Sequence, residues 1–180
     1  MDVFGRHAVP HKGMTLIEVL VSLIIFAIGM LGIASMLMLS NKANNSSYSK
    51  QVAVQCVYDI FDKIRANSQA AINGSYNISN INSSGSPTIP SAPSVLCTST
   101  VCTPAQLAAY DTWLWLSNDV TKLPNGSGSI TSAPSGGAGN TLITVTVQWD
   151  DTPAQNQLGA SSQASEANAN LVQLRVQGQL

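Results

Sequence analysis

The longest feature of the hydrophobic pattern is an uncharged, mostly apolar run of 23 residues from Val19 to Asn41. At about 1.5 Å per residue, a helix of this length spans roughly 34 Å, close to the thickness of a bilayer core. The pattern therefore predicts a single membrane-spanning helix over residues 14–41. Arg6 and Lys12 lie just before it, which predicts a cytoplasmic N-terminus with the rest of the chain outside.

The helical pattern continues beyond the apolar run and becomes amphipathic there. Apolar residues recur at helical spacing at Ala53, Val57, Ile60, Ile64 and Ala71. The charged side chains lie mostly off this stripe, so residues 42–74 are predicted to pack on a sheet. Asn73-Gly74 is a typical stop signal. We therefore expect one helix from Met14 to Ile72.

The remaining residues, 75–180, predict a small head domain. Residues 75–94 hold three prolines and Asn-Ile-Ser repeats, which predict a surface loop. Thr103 followed by proline is typical of a helix start, and predicts a helix that ends at about Asn118. The expected core face of this helix comprises Leu107, Tyr110 and Leu114, with Trp113 as a further candidate and Asp111 pointing elsewhere.

Two segments of the head alternate apolar and polar residues, as half-buried strands do. They are Thr141–Trp149 and Leu171–Gln177. We expect these strands to pair antiparallel, with their apolar faces against the outer half of the long helix. A third strand is predicted near Ser129–Thr131, and residues 155–168 are predicted to form an exposed loop. The expected fold class is α+β, with a long N-terminal helix packed on a small antiparallel sheet.

Charged residues are only 9% of the chain and form no basic stripe. Beyond Arg65 the chain has five acidic residues and two basic ones. Proteins that bind nucleic acid use clustered Lys and Arg for phosphate contacts. The composition therefore argues against a nucleic-acid partner.

The chain offers little catalytic chemistry. Both of its histidines, His7 and His11, lie within the first 13 residues. Removal of a leader of that length would leave no histidine for a general base or a nucleophile pair. Asp150-Asp151 could hold calcium only with further oxygen ligands, and solvation of a turn is the simpler interpretation. We expect no enzyme activity, no cofactor and no metal site.

The chain has three cysteines. Export across a membrane would place them in an oxidising compartment. Cys97 and Cys102 flank a short polar segment that can close a small loop, and a disulfide between them is predicted. Cys56 lies near the buried edge of the amphipathic stripe and is predicted to be a buried free thiol, although its pairing with either head cysteine stays open. The chain has no Cys-x-x-Cys pair, which argues against zinc.

The apolar run begins with the sequence Gly13-Met14-Thr15-Leu16-Ile17-Glu18, which carries one carboxylate. A secretory signal peptide has a shorter apolar core, about 7–15 residues, and then a small-residue cleavage site. A plain membrane anchor fits the length and gives no reason for Glu18. A charge within a membrane segment is costly, and it usually signals function unless it reaches the interface.

This hexapeptide and the apolar run after it resemble the class III signal of type IV pilins and pseudopilins. The resemblance implies that prepilin peptidase cuts after Gly13 and that the new amine of Met14 is methylated. It also implies that the apolar helix is first a membrane anchor and then part of a filament core. Glu18 would pair there with the terminal amine of a neighbouring subunit. Met14 departs from the phenylalanine that usually follows the cut.

The head carries a second set of ordered pieces, namely Cys97-Thr98 to Pro104, Asp111, Trp115, Leu123-Pro124-Asn125-Gly126 and Ile143 to Asp150. Together they resemble the minor pilins called type IV pilus modification proteins. The resemblance implies a subunit that joins other minor pilins and the major pilin, with an adhesin at the pilus tip, and that primes pilus assembly. Such a subunit supports twitching motility and adhesion. A pseudopilin of a type II secretion system and a membrane-tethered adhesin stay open as alternatives.

These interpretations predict four segments in the chain. They are a leader at 1–13, a membrane and filament-core helix at 14–41, its amphipathic continuation at 42–74 and a periplasmic head at 75–180. The expected location is the inner membrane, as a single-pass protein, and then the pilus at the cell surface.

Overall fold

The structure is a computed structural model that describes residues 13–81, 89–136, 140–151 and 171–180. It divides into two compact units, Met1–Ser40 and Asn41–Leu180. Residues 1–12 of the expected leader and the expected loop at 155–168 lie outside the described residues. The helices are α1 (Leu16–Ala66), α2 (Ser68–Ile72) and α3 (Pro104–Leu114), and the strands are β1 (Ile78–Ser79), β2 (Ser127–Pro134), β3 (Thr141–Asp150) and β4 (Leu171–Gln179).

The first unit is formed by the N-terminal part of α1. The Thr15 carbonyl accepts the first helical hydrogen bonds, from the backbone N–H groups of Glu18 at 3.1 Å and Val19 at 3.3 Å. Every residue from Leu16 to Ser40 is exposed. By length and composition, α1 is the one described helix that could cross a membrane.

In the second unit, α1 is amphipathic and its apolar stripe lies in the core. The buried residues of α1 are Val52, Ala53, Cys56, Val57, Ile60, Phe61 and Ile64. They belong to one hydrophobic cluster with Ile130 of β2 and four residues of β3. The predicted packing of the amphipathic segment on a sheet is thus confirmed.

The pattern predicted one unbroken helix to Ile72, and this prediction is wrong. Asn67 interrupts it, with φ −124° and ψ 47°. Its side-chain Nδ2–H group donates to the Pro104 carbonyl at 2.7 Å, a distant contact that competes with helical geometry. The stop at residue 74 is confirmed, because Gly74 adopts φ +77°. The N–H groups of Gly74 and Ser75 donate to the carbonyls of the last turn, the pattern of a Schellman cap.

The four strands form one antiparallel sheet in the order β1-β2-β3-β4. The predicted pairing of the two alternating segments is confirmed, with Val145 opposite Val176 and Val147 opposite Leu174. The third strand extends over Ser127–Pro134, well beyond the short segment expected. The predicted loop after residue 74 contains β1, because Ile78 pairs with Ile130 of β2.

One face of β3 forms the centre of the core. Ile143, Val145, Val147 and Trp149 are at most 2% exposed. The opposite face of β3 carries Thr144, Thr146 and Gln148, and these are also buried. Hydrogen bonds satisfy part of this polar face: the Gln173 Nε2–H group donates to Gln148 Oε1 at 2.6 Å, and the Gln177 Nε2–H group donates to Thr144 Oγ1 at 3.2 Å.

The start of α3 is as predicted, whereas its buried face is not. Thr103 and Gln106 form a capping box, with proline at the first helical position. The buried residues are Ala108, Asp111 and Thr112, while Leu107 is 36% exposed. The expectation that Asp111 points away from the core is wrong, since the hydroxyl of Tyr76 donates to its carboxylate inside the core.

The chain leaves α3 through a π-helical turn, Trp115–Asp119, and a 3-10 turn, Val120–Lys122. The wider turn lets the adjacent residues Trp115 and Leu116 both enter the core, where each is at most 2% exposed. The backbone of Gly128 in β2 lies against this indole. A methyl group there would meet Trp115 Cη2 at 2.5 Å, so only glycine fits without movement.

Candidate functional site

The Gly13–Met14 bond lies just before α1 begins. No atom of the described residues lies within 4 Å of the position that a Cβ on Gly13 would occupy, and Met14 is 74% exposed. In the first unit, the expected cleavage point is therefore sterically open on the protein side. Exposed segments outside regular secondary structure are the preferred sites of proteolytic cleavage.

Glu18 lies in the first turn of α1. It is the one ionisable side chain between Lys12 and Lys42. The N-terminal end of a helix favours an anion, because the helix dipole is positive there. The side chain is exposed on a helix whose other residues are mostly apolar. If this surface were covered by lipid or by another apolar helix, the carboxylate would require a cation to offset the loss of water.

A buried polar cluster connects three parts of the second unit: the end of α1, the turn after α2, and α3. The Tyr76 hydroxyl donates to Asp111 Oδ2 at 2.8 Å. The Asn67 Nδ2 amide donates to the Tyr76 hydroxyl oxygen at 3.3 Å and to the Pro104 carbonyl at 2.7 Å. These contacts connect α3 to Asn67, the residue at which the helical region breaks after α1.

The cluster perturbs both of its titratable groups. Burial raises the pKa of Tyr76, and its hydrogen bond to Asp111 raises it further. Burial also raises the pKa of Asp111, partly offset by the hydrogen bond from Tyr76 and the positive charge of Lys63. Tyr76 and Asn67 were not singled out in the sequence, because nothing local to either residue reports a partner that lies far along the chain.

Trp115 attaches the π-helical turn to α1. Its indole Nε1–H group donates to the Cys56 carbonyl at 2.9 Å. Trp113, two residues earlier, is only partly buried. The indole of Trp115 is therefore structural, whereas that of Trp113 is accessible to a ligand.

The thiol of Cys56 is free and buried, as predicted. Its Sγ–H group lies 3.4 Å from the Asp119 carbonyl oxygen. Burial raises the pKa of Cys56 to about 11, and the negative charge of Asp119 adds to the shift. The thiolate is the reactive form of cysteine. At neutral pH Cys56 is therefore a protonated thiol with low reactivity.

Cys97 and Cys102 form the predicted disulfide, with a Cα–Cα distance of 5.6 Å. The pairing of Cys56 with either of them, left open by the sequence, is wrong. The bridge closes a short loop immediately before the Thr103 cap of α3. Val101, within this loop, is fully exposed.

Asp150 ends β3, Asp151 follows it, and both carboxylates have polar partners in the second unit. The Ser46 hydroxyl donates to Asp151 Oδ2 at 3.1 Å, and the Asn125 amide donates to Asp150 Oδ2 at 3.4 Å. Across the part of the chain that the structure describes, no group of three or more His, Cys, Asp or Glu residues is placed to hold a metal ion.

Two family models match the chain. Residues 10–34 match the prokaryotic N-terminal methylation motif, and residues 36–113 match the type IV pilin Tt1218 model. Neither the search of curated proteins nor that of solved structures returned a match. The two models together cover more than half of the chain, and they agree with the long helix and the antiparallel sheet. The chain belongs to the type IV pilin family, with a class III signal.

Proposed function

We propose that this chain is a minor pilin of a type IV pilus, similar to PilV. It takes part in the initiation of pilus assembly and in the tip complex, and so supports twitching motility and adhesion. Its partners are the prepilin peptidase, the inner membrane, other minor pilins, the major pilin and a tip adhesin. Its role is structural rather than enzymatic.

The observation that carries this proposal is Glu18 on an exposed apolar helix just after an open Gly13–Met14 bond. Cleavage there creates a free amine at Met14, which is then methylated. The carboxylate of Glu18 and this amine on a neighbouring subunit have opposite charges. In a low-dielectric filament core or bilayer, such a pair is far stronger than in water. Assembly therefore gives each charge a partner that the isolated helix lacks.

The segments take the roles expected from the pattern. Residues 1–13 are the leader, 14–41 the membrane and filament-core helix, 42–74 its amphipathic continuation and 75–180 the periplasmic head. Arg6 and Lys12 keep the N-terminus in the cytoplasm by the positive-inside rule. After export by assembly, the head is displayed on the pilus at the cell surface.

The principal test is complementation of a deletion strain with the wild-type chain, with Glu18→Ala, and with the control Ser35→Ala. The Ser35 hydroxyl donates only to the Leu31 carbonyl of its own helix, at 3.0 Å, so its loss leaves the helix intact. We expect Glu18→Ala to reach the membrane but to be missing from sheared pili, with fewer pili and reduced twitching. Normal incorporation of Glu18→Ala would overturn the proposed pairing.

Mass spectrometry of the intact protein from its host tests the processing separately. We expect a mature chain that begins at Met14 with one added methyl group. A mature chain that still begins at Met1 would instead favour a membrane-tethered adhesin outside any filament. A secretion defect in the deletion strain, with normal pili, would instead favour a pseudopilin of a type II secretion system.

A further inference from the structure

A surface cleft of about 280 Å³ lies in the head, apart from the N-terminal helix residues that the proposed assembly uses. Three segments of the second unit form its walls: the turn and strand at 75–78, residues 90–93, and α3. Its size is near the lower end of small-molecule sites, roughly 300–1,000 Å³. The described residues that line the cleft are Ser75, Asn77, Ile78, Pro90, Ser91, Pro93, Ala109, Thr112 and Trp113.

One wall of the cleft is the indole of Trp113. The ring of Tyr110 lies 6.0 Å away, centroid to centroid, with a tilt of 39°. This is the range of favourable aromatic pairs, so Tyr110 helps to fix the indole from one side. Trp113 remains only partly buried, and it offers the cleft a flat, polarisable surface.

The lining of the cleft also includes neutral polar groups with free hydrogen-bonding capacity among the described residues. Asn77 Oδ1 accepts from the Ser132 N–H group at 2.7 Å and from the Ser132 hydroxyl at 2.9 Å. This fixes the orientation of the amide and leaves its two Nδ2–H donors unused among the described residues. The hydroxyls of Ser75 and Ser91 likewise have no partner within that part of the chain. Each hydroxyl can donate one hydrogen bond and accept two.

The cleft has no charged lining. Residues 66–110 contain no Asp, Glu, Lys, Arg or His, and the nearby Asp111 is buried and bonded to Tyr76. A charged ligand would lose its hydration there without an ionic partner. The chemistry therefore selects an uncharged ligand that combines hydroxyl groups with an apolar face.

We propose that this cleft binds a neutral saccharide. A sugar ring has a face of C–H groups that can stack on the indole of Trp113. Its equatorial hydroxyls can then reach the Asn77 amide and the hydroxyls of Ser75 and Ser91. Addition of a peptide strand to the sheet edge is less well supported, because β1 is only two residues long and would offer few backbone hydrogen bonds.

The test is titration of the full chain with maltose, lactose, cellobiose and N,N′-diacetylchitobiose, followed by tryptophan fluorescence. The detergent must be zwitterionic, because a maltoside headgroup would itself compete for the cleft. Trp115 and Trp149 are at most 2% exposed, so a change in quenching by acrylamide reports mainly on Trp113. We expect at least one sugar to protect Trp113, with saturation below about 20 mM, a range that includes millimolar affinity.

Three variants locate the site. Trp113→Ala is expected to weaken binding about tenfold or more, measured by saturation-transfer NMR on the sugar. Ala109→Leu is expected to abolish binding, because Ala109 is an exposed helix position where leucine fits the helix and fills the cleft. This second variant removes no native contact, so it serves even if Trp113→Ala folds poorly. The matched control, Tyr58→Ala, removes a 64% exposed aromatic ring outside the cleft and should bind like wild type.

Several results would overturn the proposal. These are no protection by any of the four sugars, binding unaffected by Ala109→Leu, or preferential binding of an uncharged peptide at the same cleft. The assay uses purified protein and is independent of filament assembly. A failure here would therefore leave the proposed role as a pilus subunit untouched.

Discussion

Replacement of Tyr76 by phenylalanine separates the hydrogen bond of the buried polar cluster from its packing. Phenylalanine keeps the ring, which is 1% exposed, and removes only the hydroxyl that donates to Asp111 Oδ2 at 2.8 Å. A hydrogen bond to a charged group contributes about 1.5–3 kcal/mol. At pH 8 we expect the free energy of unfolding to fall by about 2 kcal/mol, and Tm to fall by about 6 °C for a domain of this size.

The effect should depend on pH through Asp111. Burial raises its folded-state pKa above the unfolded value, which is about 3.9. Folding therefore takes up a proton between the two values, so the stability contribution of this group is greatest below the unfolded pKa and declines as pH rises through the folded pKa. The protonated carboxyl needs the Tyr76 donor less than the carboxylate does. The fall in the free energy of unfolding caused by Tyr76→Phe should therefore be smaller at pH 4 than at pH 8.

The assay is thermal unfolding of the full chain in detergent, followed by tryptophan fluorescence at both pH values. Asp111→Asn removes the ionisation and keeps an acceptor, so the variant should lose the pH dependence that Asp111 causes. A double-mutant cycle of Tyr76→Phe with Asp111→Ala, which removes the acceptor, should give a coupling of about 1 kcal/mol or more. Tyr58→Phe is the matched control, because Tyr58 is exposed. Equal losses at both pH values, or no coupling in the cycle, would refute the reasoning.

Three further predictions concern the core and the cysteines. Gly128→Ala should lower the free energy of unfolding by about 1–3 kcal/mol, seen as a lower Tm, because the added methyl group would overlap the Trp115 indole. Cys56 should resist alkylation by iodoacetamide at pH 7.5 and react only after denaturation, since its pKa is raised to about 11. Reduction of the Cys97–Cys102 bridge should cost about 2 kcal/mol, the loop-closure value for so short a loop, measured by denaturant unfolding with and without reductant.

Each of these three predictions has a control or an outcome that would contradict it. Thr131→Ala is the control for Gly128→Ala, because Thr131 lies on the same strand at an exposed position, and little loss is expected there. Rapid alkylation of the native thiol would contradict the burial of Cys56. The double variant of Cys97 and Cys102 to alanine should be insensitive to reductant, and a further loss of stability in that variant would show that reductant acts elsewhere.

Elements that depend on neighbouring residues could be predicted from the sequence. The alternation of Thr141–Trp149 identifies β3, Thr103 marks the start of α3, and Gly74 ends the helical region. The short spacing of Cys97 and Cys102 was also enough to predict the disulfide between them. In each case the determining residues lie within one turn or one strand of each other.

Elements that depend on distant partners could not be predicted in this way. The break at Asn67 depends on the Pro104 carbonyl, 37 residues away. The burial of Asp111 depends on Tyr76, 35 residues away, and β1 becomes a strand only beside β2. The N-terminal signal could be predicted because its residues are contiguous in the sequence. The cleft beside Trp113 could not be predicted, because three separate segments of the chain form it.

The strand order of the sheet, which equals its order along the chain, has a consequence for biogenesis. Among the described residues, each strand pairs only with strands next to it in chain order, so none of these strands has to be inserted between two that are already paired. The pairings can form one after another in the order of the chain. Until residues 171–179 have been synthesised, however, β3 presents an open edge. A chaperone that shields exposed strand edges would be needed most during that short interval.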